Sequence, residues 1–250
     1  MKILDSNLNE KINALITKQK LFLCNHRIDF LFFIIVYLSA YSFELFNIHI
    51  TIDEELSALR TSINPAFVTS GRWGLFLLSS LLLQKQIIPF IPLTLALCFQ
   101  FIGILLLLES LKIRNPIDRN LIIIFMLTWP GLAYPYSFST SNFAIGFGFL
   151  CISLGLYLLV KGKGAGKLWA AIPIAFVISI YQPLVLPLIM AFLLYPLYRW
   201  QEERPNILRF LLNALLALGI GFVLYYGIQQ LFLIAFNTGT STYVAHYFDF

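Results

Sequence analysis

The sequence predicts an all-α, polytopic helical membrane protein of about seven transmembrane helices, with an amphipathic helix in the first outer loop. Three observations lead there. The chain is 59% hydrophobic and 12% charged, with a mean hydropathy of +0.83, whereas an ordinary soluble domain carries about 25% charged residues. Apolar runs recur along its 250 residues at roughly the 20-residue length that crosses about 30 Å of hydrocarbon. The basic residues fall in short clusters between those runs, so the net charge of +5 is not the footprint of a nucleic-acid-binding surface.

Residues 1–27 form a cytoplasmic N-terminal segment without the short apolar core of a cleavable signal peptide. Leu8, Ile12, Leu15, Ile16 and Leu23 recur at helical spacing with Lys11, Lys18 and Lys20 between them, a pattern that suits a helix lying on an anionic membrane surface. A transmembrane domain over residues 28–236 follows, interrupted by an outer acidic loop at 49–86 and followed by an outer segment at 237–250. Its apolar runs cover Ile28–Ile48, Ile87–Leu108, Leu121–Pro135, Phe143–Val160, Leu168–Ile180, Leu184–Tyr198 and Leu208–Phe236. Gly74–Leu83 is shorter, about 15 Å as a helix.

Orientation turns on that short run. If it stays in or re-enters the interface, the five Lys and Arg of the N-terminus face the cytoplasm, with three each in Lys112–Arg119, Lys161–Lys167 and Arg199–Arg209. Fourteen of the 17 basic residues are then inside. If it crosses fully, the count falls to six. The positive-inside rule selects the first arrangement: seven crossings, N-terminus in, C-terminus out.

This topology concentrates charge on the outer face in one loop. Asp53, Glu54 and Glu55 stand in a row just after the first span, and Arg60, Arg72 and Lys85 follow. Thr51 and Glu54 have capping-box spacing. At 100° per residue Asp53, Ser57 and Arg60 share one helix face, while Leu56, Leu59 and Ile63 share its neighbour. Asn64-Pro65 breaks the helix, and Ser70-Gly71 precedes Arg72-Trp73. The acids have two readings, helix capping or chemistry. A carboxylate and a guanidinium on one face at the lip of the bilayer form a base and a phosphate-binding cation, because Arg binds phosphate bidentately and low polarity raises a carboxylate toward a useful base.

Ile52-Asp53-Glu54-Glu55-Leu56, Ser70-Gly71-Arg72-Trp73, Tyr136-Ser137-Phe138 through Asn142-Phe143, and Ile180-Tyr181-Gln182 carry a resemblance. A span followed by an outer loop opening on an acidic pair resembles the GT-C class of membrane glycosyltransferases. Within that class the chain is similar to the Gtr-type glucosyltransferases that modify bacterial O-antigen. The resemblance implies a polyprenyl phosphate sugar as donor, a surface polysaccharide as acceptor, and a site on the outer side of the bacterial inner membrane. It implies Asp53 as the proton acceptor, Glu54 orienting the acceptor, and Arg72 or Arg60 neutralising the lipid phosphate. Asp53-Glu54 departs from a strict Asp-Asp pair. The class also has more spans and an outer C-terminal domain, so the chain reads as an N-terminal portion of a longer protein or as a shortened relative.

No cofactor is expected. Two acids without a histidine leave a divalent ion under-liganded, and Gly162–Lys167 lacks the spacing and strand–helix context of a P-loop; it reads as a flexible cytoplasmic turn. Cys24, Cys98 and Cys151, and His26, His49 and His246, lack metal-ligand spacing. Asn142, among the hydroxyl-rich residues after Tyr134, and Tyr181 with Gln182, at the turn of a helical hairpin, are candidate substrate-binding residues. An aromatic belt and a plain hairpin turn are their alternatives. Trp73, Trp129, Trp169 and Trp200 read as interfacial anchors. Two other classes remain: a transporter or flippase for lipid-linked oligosaccharides, which would carry charge inside its spans, and a non-catalytic membrane subunit.

The topology predicts that cysteines introduced at Asn64 and Ser139 react with an impermeant thiol reagent outside intact cells, and that one at Gly164 does not. Labelling at Gly164 would reverse the orientation.

Overall fold

The computed structural model describes residues 27–43, 45, 66–82, 90–129, 131, 136 and 141–241, the side chains of 201–205 excepted. The N-terminal segment before Arg27, the acidic stretch with its amphipathic helix, and the residues after Ser241 lie outside the described residues. Every regular element described is helical. These are α1 (27–43), α2 (Ala66–Thr69), α3 (Trp73–Leu82), α4 (Ile91–Leu111), α5 (Pro116–Thr128), α6 (Asn142–Lys161), α7 (Ala171–Ile180), α8 (Val185–Tyr198) and α9 (Trp200–Ala235). Three stretches are long and apolar enough to cross a membrane: Ile91–Leu111, Asn142–Lys161 and Asn206–Ala235. The ten residues of α3 span about 15 Å, too short for the hydrocarbon thickness.

Helix ends depart from the apolar runs where local chemistry intervenes. In α4, Pro92 sits in the first turn, where a missing N–H is no loss. The helix stops at Lys112, left-handed at φ 56°, whose N–H bonds Glu109 while that of Ile113 bonds Leu108; this paired closure satisfies the last carbonyls. The Asn115 side chain accepts from Ile117 N–H at 3.1 Å with Pro116 next, so α5 begins before the apolar run does. The glycine-rich stretch expected to be a flexible turn is partly ordered. Gly164–Ala170 forms a 3-10 helix leading into α7, and Gly164 takes φ 52°.

Helices α4 and α6 make the most extensive contact in the bundle. They run parallel, since Ala96 meets Gly146 toward one end and Glu109 accepts a bond from Lys161 at 2.9 Å at the other. A Cβ at Gly146 would fall on the backbone of Ala96, and one at Gly103 would lie 3.2 Å from the Leu150 backbone. Small residues thus let the two backbones close, the usual basis of helix association where lipid supplies no hydrophobic drive. Ile174 and Phe192 reach Gly155, and Leu184 reaches Gly148, so α6 is also flanked by α7 and α8. Helix α9 packs along α7, with Gly221 against Ile174. Its outward residues, including Leu212, Leu215, Leu216 and Val223, are exposed, as a lipid-facing stripe must be.

Helix α1 is fastened at both ends. Near its start Asp29 is buried and pairs with Arg119, whose Nη1 also donates to Ile113 O at 3.2 Å. Near its end Tyr41 donates to Leu127 O at 2.8 Å. Between these, Phe33 packs on Phe101 with ring centroids 4.9 Å apart. Fully buried Gln100 donates to Met126 O at 2.9 Å and accepts from Tyr136 at 2.8 Å.

The helix directions gather Arg27, Lys112, Arg114, Arg119, Lys161, Lys163, Lys167, Arg199 and Arg209 at one end of the bundle, together with Asp29, Glu109 and Asp118. Among the described side chains, Arg72 is the one charged group at the opposite end.

The close contact at Gly146 predicts that Gly146→Val costs about 1–3 kcal/mol, read as a lower thermal midpoint in detergent and lower membrane abundance. Gly166→Ala, with nothing within 4 Å of its Cβ position, is the control and should leave both unchanged. Equal midpoints would remove Gly146 from the packing argument.

Candidate functional site

At the end opposite the basic loops the chain turns between α2 and α3. Gly71 adopts φ 77°, the left-handed conformation that glycine takes without strain. Its N–H bonds Val68 O at 3.1 Å, and that of Arg72 bonds Phe67 O at 2.7 Å, the double closure that ends a helix. The Ser70-Gly71-Arg72 motif is therefore a helix stop that directs the arginine away from α2.

This turn sits in the bundle, so its carbonyls need partners. Four consecutive ones have them. Gln229 donates to Val68 O at 2.7 Å, Ser241 N–H to Thr69 O at 3.0 Å, Gln182 to Ser70 O at 3.3 Å, and Tyr225 to Gly71 O at 3.0 Å. The Gln182 amide also reaches the Tyr225 hydroxyl. A Cβ on Gly71 would lie 2.5 Å from that hydroxyl, so the site excludes any larger residue. Losing the donor to Ser70 O or Gly71 O would leave that carbonyl unsatisfied, worth about 1–3 kcal/mol.

The guanidinium of Arg72 lies over the Tyr181 ring, 5.4 Å from its centroid, a cation–π arrangement. Its Nε is buried and has no hydrogen-bond partner. Arg72 is joined to no acid among the described residues. Below it, Trp73 is 1% exposed, stacked on Phe232 and edge-on to Phe176 with centroids 6.0 and 5.3 Å apart. This corrects the expectation that Trp73 is an interfacial anchor. Trp169 and Trp200 are 64% and 50% exposed and fit that description. Gly74 brings α3 onto Ser179 of α7, where a Cβ would collide.

Of the residues singled out from sequence, three therefore meet: Arg72, Tyr181 and Gln182. Gln182 contacts the turn that carries Arg72, and Tyr181 contacts its guanidinium. Asn142 opens α6 at the same end of the bundle; it is buried, and its Oδ1 has no hydrogen-bond partner. Asp53, Glu54 and Arg60 lie outside the described residues. No cluster of three His, Cys, Asp or Glu that could hold a metal occurs among the described residues. Tyr225 and Gln229 escaped the sequence reading. Their signal was there, a polar pair one turn apart inside a long apolar run.

A half-buried arginine with an unpaired N–H, stacked on a tyrosine and held on a rigid turn, is equipped to receive an anion. These features define a helical membrane protein with, among the described residues, one cation fixed at the end away from its basic loops. The family described as Glucosyl transferase GtrII matches over residues 42–248, and the chain belongs to it. The family carries glycosyl transfer, with a sugar donor and a glycan acceptor in general terms. No curated protein and no solved structure matches.

Proposed function

We propose that the chain transfers glucose from a polyprenyl phosphate donor to a cell-surface polysaccharide such as O-antigen, on the outer face of the bacterial inner membrane. The observation that carries this reading is Arg72, the one described charged side chain at its end of the bundle, with an unpartnered buried Nε. With the basic loops facing the cytoplasm by the positive-inside rule, that end faces outward, where the phosphate of an isoprenoid donor would lie while its tail stays in lipid. The N-terminus is then inside.

In this reading Asp53 accepts the proton of the incoming sugar hydroxyl as its oxygen bonds to the anomeric carbon. The bond from that carbon to the phosphate oxygen breaks, and Arg72, with Arg60 as its companion, neutralises the departing polyprenyl phosphate. Glu54 orients the acceptor. Tyr181 and Gln182 support the cation, and Asn142 offers an amide to sugar hydroxyls. The scheme uses no nucleotide and no resident metal.

The test is sugar transfer beside a membrane-abundance measurement. Asp53→Asn keeps volume and most hydrogen bonding but removes the proton acceptor, so transfer should fall by about 10² to 10⁴ in a protein that still inserts. Glu54→Gln should lose less, since Gln still completes a capping box. Near-normal transfer by Asp53→Asn, with Glu54→Ala merely unstable, would reduce both acids to helix capping.

Arg72→Ala should lose use of the lipid-phosphate donor more severely than Arg72→Lys, which keeps the charge without the bidentate fork. Normal surface glucosylation by Arg72→Ala would move the phosphate role to Arg60.

A further inference from the structure

We infer that Tyr225 and Gln229 of α9 are positioning residues for Arg72: their side-chain donors hold the turn that sets the direction of the guanidinium. The inference rests on the reading of Arg72 as the phosphate-binding cation. Tyr225 and Gln229 are one helical turn apart and so project from one face of α9, where they meet the carbonyls of Gly71 and Val68 at 3.0 and 2.7 Å. The bonds join positions 154 and 161 residues apart. They arise from the tertiary packing of α9 against the turn and not from local chain geometry.

Gln229 is not explained as a mutually satisfied structural pair. It is 5% exposed, its Nε2 donates to Val68 O, and its Oε1 is buried with no partner. A buried amide with one half unsatisfied is costly in an apolar helix, and the work it does is to donate to this turn. Gln182 adds a third donor from the α7–α8 turn, and the hydroxyl of Tyr225 also blocks any side chain at position 71. Rotation of the Arg72 turn would break all these bonds together. An arginine fork gains from being held, because its planar geometry must match two phosphate oxygens at once. A lysine ammonium on a flexible stem gains little from the same restraint.

That difference supplies the test. Membranes carrying the full chain, with acceptor polysaccharide, are given radiolabelled polyprenyl phosphate glucose, and donor KM and kcat are measured with Arg or Lys at position 72. Tyr225→Phe with Gln229→Met should lower kcat/KM for the donor about 10- to 100-fold, mostly through KM, in the arginine protein. In the Arg72→Lys background the same pair should cost less than about threefold, a coupling that a general loss of stability does not produce. Equal losses in both backgrounds, or none with arginine, would overturn the positioning role. Tyr225→Phe alone, which removes a single oxygen, gives the same comparison if the double variant does not accumulate. Full activity of both Arg72→Ala and Arg72→Lys would instead overturn the phosphate reading itself, so the two failures are distinct.

Discussion

A chain inside an apolar bundle cannot leave its backbone carbonyls to water, and the turn between α2 and α3 is where this constraint is most demanding. Of its four consecutive carbonyls, that of Val68 accepts the Gly71 N–H within the turn, while those of Thr69, Ser70 and Gly71 take their partners from elsewhere in the chain. Three other parts of the chain supply the donors: α9, the residues just beyond it, and the turn joining α7 to α8. Much of the local sequence follows from that need. Gly71 provides the left-handed residue that frees the carbonyls to point at α9. Gly74 lets α3 come down onto Ser179. The aromatic side chains of Trp73, Phe76, Phe232 and Phe236 fill the space alongside.

The distribution of charge has a matching economy. At one end basic residues abound, and two acids are each committed to a basic partner, Asp29 to Arg119 and Glu109 to Lys161. The first pair is largely buried and fastens α1 to α5; the second is exposed and contributes little to stability. At the other end the described side chains offer one cation and no acid. A lone cation in such surroundings is hard to justify on stability grounds. In a member of a glucosyltransferase family this is the group on which the proposed phosphate role rests.

The apolar runs read from the sequence coincide with the helices because hydropathy is a property of long segments. The termini shifted because they depend on single residues: the Asn115-Pro116 start of α5 and the left-handed Lys112 at the end of α4. Tyr181-Gln182-Pro183 was legible as a hairpin turn, a local signal, whereas the helix stop at Gly71 was not drawn from the sequence. Gln182 had two open readings, substrate binding or a plain hairpin turn, and its bond to Ser70 O belongs to neither because it is tertiary. Tyr225 and Gln229 were illegible as partners of that turn, because their role exists only once α9 is docked beside it. Gln100 was hidden in the same way, its pairing with Tyr136 being tertiary. A polar side chain in an otherwise apolar span is the clue common to these cases, and it signals a partner without naming it.

The bond from Ser241 N–H to Thr69 O has a consequence for the geometry of the chain as a whole. Asn237, left-handed at φ 49°, turns the backbone at the end of α9, and four residues later the chain is moored to the strand of carbonyls beside Arg72. Whatever is carried on the chain downstream of Ser241 therefore starts from a fixed point at the rim of the candidate site. The bond from Ser241 is thus also an anchor that fixes where the chain leaves α9 beside the candidate site.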